Sequence, residues 1–189
     1  MSENYINTIS PLDGYSREFD GVSIVENSNF SLVSIGFSNE ARDRLQHTVA
    51  KAYKTDLPDA GQSTVSSDGQ ARLMWMQSDL VFLLFDDRVD QTAALVKEQL
   101  GNAACYTDQS DGWACIALSG EKSRLALQRI CAIDLHPGVF TDGAVARTTM
   151  EHIGGIILRN GPDSFLLFSA HSYAHSFLQM LEESIHNIL

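Results

Sequence analysis

The sequence predicts an α+β fold built from two β-β-α-β-β-α units, with mostly antiparallel sheets and helices on one face of each sheet. Three observations predict it. The run "DLVFLLF" at 79–85 has a near-copy in "DSFLLF" at 163–168. Each run is followed by a stretch in which apolar residues recur at helical spacing. Other landmarks repeat in the same order: Ser38 and Glu40 stand 81 positions before Ser119 and Glu121, Pro58 stands 79 before Pro137, and Phe82–Phe85 stands 83 before Phe165–Phe168. A cap, a loop proline and a strand displaced together read as an internal duplication. Helices on one sheet face leave the other face bare, so the units are expected to share a core. The expected organisation is an N-terminal arm over 1–20 and one globular domain over 21–189, made of pseudo-repeats at about 21–101 and 102–189.

Taken in order, residues 1–20 are polar, and "SPLDGYSREFDG" carries Pro11, Gly14 and Gly21, the composition of an arm or loop. "GVSIVE" (21–26) and "FSLVSIGF" (30–37) are β-branched and alternating, with "NSN" as the turn between them. Ser38 or Asn39 can cap a helix on which Ala41, Leu45, Val49, Ala52 and Tyr53 recur. Residues 54–70 form a long loop with room for one short strand. "ARLMWMQ" and "LVFLLFDD" make a second strand pair; Asp87 or Asp90 then opens a helix that Gly101 ends after Leu100.

The order then repeats. Strands are expected at about 103–108 and 113–118, and a helix from near Ser119 to about Cys131. A loop containing "DLHPGVFTDG" leads to strands near 145–150, 153–159 and 164–168. The last helix, about 172–187, has the cleanest pattern. Ala174, Phe177, Leu178, Leu181, Ile185 and Ile188 lie on one face, and Gln179, Glu182, Glu183 and His186 on the other.

Bulk properties restrict the function classes. Thirteen Lys and Arg against 24 Asp and Glu give a formal charge of −11, which repels phosphate backbones and anionic lipid, so neither nucleic acid nor membrane is expected as a partner. No window is apolar enough to span a bilayer, the opening residues lack the pattern of a secretory signal, and the expected compartment is the cytoplasm. Cys105, Cys115 and Cys131 are odd in number, form no CxxC pair, and read as buried free thiols.

Candidate chemistry is sparse. His171 and His175 are four apart near the start of the last helix, with His186 close to the same stripe, a spacing that suits zinc only with a further ligand; a polar or capping role is favoured. His136, before Pro137, and His152, between strands, have the chemistry of a general base but no nucleophile-elbow sequence to serve. "HIGGIILRNG" reads as a strand with a bulge or a close backbone approach, not a phosphate cradle. Asp86, Asp87, Asp108, Asp111, Asp142 and Asp163 are accounted for as turn residues, and Trp75 and Trp113 as buried strand residues. On this reading the chain has no catalytic, cofactor-binding or metal-binding residues of its own.

The stretch 108–183 resembles the gamma-subunit family of heterotetrameric sarcosine oxidase through "DQSDGW", "LSG", "DLHP", F-x-x-G-x-x-A-R-T and "FLLFSAHSYAHSFLQML". "SPLDG" at 10–14 and "LVSIGF" extend the match upstream. Wider relatives are the folate-binding domains of aminomethyltransferases, the glycine cleavage T-proteins, whose fold is a duplicated β-β-α-β-β-α unit. In their pattern the strand after paired glycines carries adjacent aspartates, one of which works at the folate. Here that strand reads Gly154-Gly155-Ile156-Ile157-Leu158-Arg159, and hydrocarbon cannot accept a proton or hold a folate nitrogen.

The resemblance therefore implies a non-catalytic structural subunit that packs with alpha, beta and delta chains in a complex demethylating sarcosine to glycine, in sarcosine catabolism. It places FAD, NAD, covalent FMN and tetrahydrofolate on the other chains and zinc on the delta chain. The alternative is a folate-binding or one-carbon-transfer protein, in which Asp134, His152 or Arg159 would replace the missing acid. A third reading is a stand-alone homodimer.

Overall fold

The computed structural model describes residues 10–189. In chain order β1 (Ser16–Phe19), β2 (Val22–Glu26) and β3 (Ser31–Gly36) precede α1 (Arg42–Tyr53). β4 (Ser63–Val65), β5 (Ala71–Gln77) and β6 (Leu80–Phe85) precede α2 (Thr92–Leu100). β7 (Cys105–Asp108) and β8 (Trp113–Ser119) lead to α3 (Ser123–Ile130), and β9 (Val145–Met150), β10 (Ile153–Arg159) and β11 (Ser164–Ala170) to α4 (Ala174–His186). A six-stranded sheet runs β1-β2-β8-β11-β10-β9 and a five-stranded sheet β4-β5-β6-β3-β7. Every pairing is antiparallel.

Strand alternation distributes the apolar residues over three cores. In β3, Val33 and Ile35 point toward α1 and α2, where they meet Leu45, Val49, Val96 and Leu100. In β8 and β11, Ile116, Leu118, Phe165 and Leu167 point toward α3 and α4 and meet Leu127, Phe177 and Leu181. The intervening positions of both sheets face one another. Leu32, Met74, Phe82 and Leu84 from the smaller sheet, with Phe30 just ahead of β3, pack on Cys115, Val145, Ile156, Leu158 and Phe168 from the larger. The result is a helix–sheet–sheet–helix stack in which the shared core is the contact between the two bare sheet faces.

The halves of the chain exchange strands. β2, from the start of the first half, pairs with β8 in the larger sheet, Ile24 opposite Leu118. β7, from the start of the second half, pairs with β3 in the smaller one, Ile35 opposite Tyr106. Consecutive strands β2 and β3 are therefore not a hairpin: the residues between them cross from one sheet to the other, and the residues between β7 and β8 cross back. At the opposite edge equivalent segments meet. Gln62 bridges Ala144, a pair whose separation falls within the 79–83 offset of the other landmarks, as an approximate two-fold axis requires. Ser63 N and Oγ both donate to Gly143 O, at 2.9 and 2.7 Å, and Val145 N donates to Gly61 O at 2.9 Å. The Arg72 guanidinium joins the seam, donating to Ser63 Oγ and Asn160 Oδ1 at 3.0 and 2.9 Å.

Several sequence expectations need correction. Residues 16–19 of the expected arm form β1, because pairing with β2 satisfies their backbone groups. The first-half helix begins at Arg42 after a 3-10 turn, and Ser38 makes no side-chain cap. On α1 the buried stripe is Leu45, Val49 and Tyr53, whereas Ala52 is exposed, since it lies off the i, i+4 line. α2 begins at Thr92, beyond both Asp87 and Asp90, and Gly101 ends it with φ +72°. Ser119 belongs to β8 rather than to α3. Between them Gly120 has φ +111°, and a Cβ there would lie 2.4 Å from Gly21 O, so only glycine fits where the β1–β2 turn crosses. Cys115 and Cys131 are buried as expected, but Cys105, on edge strand β7, is exposed. Trp75 and Trp113 are half-buried.

Candidate functional site: the crossover cleft

The two crossovers, residues 27–30 and 109–112, flank a cleft of about 330 Å³. Its base is aromatic. The Phe30 ring stands edge-on to Phe168 at 6.0 Å, and Trp113 edge-on to Phe82 at 6.0 Å, so both are anchored in the inter-sheet core. Its rim is polar and tightly tied. Asn27 N donates to Cys115 O at 2.9 Å and Gln109 N to Leu32 O at 2.8 Å. Ser110 Oγ accepts from Leu32 N at 3.0 Å and donates to Asp108 Oδ1 at 2.6 Å. Asn29 donates to Asp87 Oδ1 at 2.9 Å and accepts from Arg88 N at 3.2 Å. The Arg88 guanidinium pairs with Asp111 Oδ1, and His171 Nδ1 lies 3.1 Å from Asp111 O. Facing a carbonyl, Nδ1 carries the proton.

The N-terminal arm closes one side of the cleft with Ser10 and Pro11. It is fixed by one buried carboxylate. Glu26, 8% exposed, accepts from Ser10 Oγ, from Leu12 N at 2.9 Å and from Gly14 N at 2.7 Å. The "SPLDG" turn thus wraps an acceptor at the end of β2. Tyr15 and Arg17 continue the attachment: both donate to Glu182 on α4, Arg17 at 2.8 Å. Burial, with a smaller contribution from Glu26, pushes the Cys115 thiol far above its ordinary range.

The residues singled out in the sequence are dispersed. His171 lines the cleft; His175 and His186 are exposed along α4, and His186 turns Nδ1 to Glu182 O at 2.7 Å. Among the described residues no three His, Cys, Asp or Glu side chains converge to hold a metal ion. His136 is exposed in the α3–β9 loop, where its Nδ1 accepts from Gly138 N at 3.1 Å. Asp134 accepts from His136 N at 2.9 Å, a local turn bond. His152 is exposed in the β9–β10 turn. Arg159 is 4% exposed and gives its donors to three backbone carbonyls, Gly161 and Phe140 at 3.1 Å each and Pro162. Ile156, Ile157 and Leu158 are fully buried. Asp134, His152 and Arg159 lie apart in the chain's structure, in the α3–β9 loop, the β9–β10 turn and the end of β10.

The cleft itself was not foreseen. "NSN" read as a turn and Asp111 as a turn carboxylate, yet the offset that aligns the repeats also aligns the polar segments 27–29 and 109–111. Two equivalent polar loops in a duplicated chain were the available signal.

This architecture is a duplicated α+β domain, a fold also found in an aminomethyltransferase of the glycine cleavage system. The glycine cleavage system aminomethyltransferase T of Bartonella henselae superposes with TM-score 0.64 at 15% identity, over 85% of this chain and 45% of that one. A chain of the heterotetrameric sarcosine oxidase of Corynebacterium sp. U-96 superposes with TM-score 0.80 at 19% identity, over 94% of both chains. Residues 38–186 match the sarcosine oxidase, gamma subunit family, and the chain belongs to that family. The sarcosine oxidase subunit gamma of Corynebacterium sp. (strain P-1) is 25% identical over 72% of this chain and 68% of its own. That of an Arthrobacter species is 27% identical over 62% and 58%.

Proposed function

We propose that this chain is the gamma, non-catalytic subunit of a heterotetrameric sarcosine oxidase, assembling with alpha, beta and delta chains in the cytoplasm. The observation that carries the reading is the family match over residues 38–186, supported by a fold that fits a chain of the Corynebacterium complex along nearly its whole length. In this reading FAD, FMN, NAD, tetrahydrofolate and zinc are held by the other chains. This chain supplies shape. Its strand after the paired glycines is spent on the two cores, and its one arginine there is spent on backbone carbonyls. No helix of the described residues is long and apolar enough to cross a membrane.

Co-expression tests the reading. This chain is expected to co-purify in constant proportion with the flavin-bearing chains, and omitting it is expected to reduce the yield of assembled oxidase. Fully active, stable oxidase recovered without it would overturn the assignment. Titration calorimetry of the isolated chain with tetrahydrofolate addresses the folate-binding alternative; no heat of binding is expected.

A further inference from the structure

The crossover cleft is a pre-shaped pocket that the proposed subunit role leaves without an assignment. Its base offers Phe30 and the half-buried Trp113, and its rim offers Asp111, whose side chain is 74% exposed. Arg88 engages one oxygen of that carboxylate and leaves the other to solvent. Asp87 and Asp108 lie behind the rim, tied through Asn29 and Ser110, so carboxylates outnumber the single guanidinium. The tryptophan and the arginine that line the cleft, Trp113 and Arg88, are of residue types enriched at interface hot spots. The rim's backbone and side-chain bonds hold it open, so little ordering cost attends its occupation.

Resting on the gamma-subunit reading above, we propose that this cleft is an anchor pocket of the intersubunit interface and receives an arginine side chain from a partner chain. A volume of about 330 Å³ suits one long side chain better than a dinucleotide. A planar guanidinium stacks on an indole face and pairs with a carboxylate at the same time, which an ammonium does less well. The formal charge of −11 makes a basic partner surface the electrostatic complement.

The test uses oxidase assembled by co-expression of all four chains and immobilised through a partner chain, and reads by interferometry how fast this chain dissociates at about 50 and about 300 mM salt. Asp111→Arg is expected to weaken binding about 30-fold or more and to flatten its salt dependence. Ser28→Trp, which fills the cleft from an exposed position, is expected to weaken it at least about tenfold. Glu98→Arg, on the exposed side of α2, is the control and should bind within about twofold of wild type. Thermal melts of each free variant show that the fold is intact. If wild type binds and both cleft variants bind equally well, the pocket assignment fails while the gamma-subunit reading stands. If Ser28→Trp weakens binding but Asp111→Arg does not, a partner enters the cleft without a cation and the arginine assignment is overturned. If wild type itself does not bind, both readings fall together.

Discussion

Glu26 shows how one side chain can organise a segment. A carboxylate has only acceptors to offer, and three donors of the arm use them. Glu26→Gln replaces an acceptor by an NH2 group facing donors, and should cost about 1.5–3 kcal/mol in urea unfolding, with faster amide exchange at Leu12 and Gly14. The paired glycines separate just as sharply. A Cβ at Gly155 would lie 2.7 Å from Phe168 O, whereas at Gly154 nothing stands within 4 Å. Gly155→Ala is therefore expected to destabilise by about 1–3 kcal/mol and Gly154→Ala to be neutral or slightly stabilising, a contrast that paired denaturant curves read directly. The sequence reading of a close backbone approach in "HIGG" holds for the second glycine. The reading of three buried thiols fails at Cys105, because an edge strand exposes alternate side chains that sequence alternation alone cannot assign to a covered face. A thiol reagent should accordingly label one cysteine per native chain rapidly, with Cys115 and Cys131 held protonated by burial until unfolding; Cys105→Ser should abolish the fast phase.

At the scale of elements, strands were legible wherever apolar residues alternate. The starts of α2 and α3 were not. Ser119 and Asp87 look like caps, but cross-strand pairing keeps Ser119 in β8, opposite Ser23 and Ser164, and the chain does not turn helical until Thr92. β1 was hidden for the opposite reason: its residues are polar and mostly exposed, so only pairing with β2 reveals it. The turn joining those strands is held to the approach of α3 by Lys122, whose ammonium donates to Asp20 Oδ2 at 2.7 Å and depresses the Asp20 carboxyl pKa. A depressed folded pKa contributes stability above the unfolded value of about 3.9 and loses it as pH falls through the lower folded value. The melting-temperature gap between wild type and Asp20→Asn should therefore be present at neutral pH and close in acid. A gap that widens below about pH 4 would contradict the ion-pair account.

At the scale of the molecule, the duplication was readable but the wiring was not. Offsets between Phe82 and Phe165 report equivalence, whereas the choice of sheet for β2 and β7 depends on long-range pairing that leaves no local mark. The inter-sheet core makes the halves interdependent. Phe168 is fully buried between Phe30 and the facing strands, and Phe168→Ala should cost about 3–5 kcal/mol and loosen both sheets together, seen as a loss of exchange protection in β6 as well as β10. The strand exchange also sets a timetable. During synthesis β1 and β2 leave the ribosome before the other described strands, but their neighbour β8 follows about ninety residues later, after β3 to β7 have all emerged and can close the smaller sheet. Strands β1 and β2 are thus among the last to find a place, and until β8 is made an apolar edge must be kept from sticking to other chains. That burden on chaperones follows from the connectivity alone.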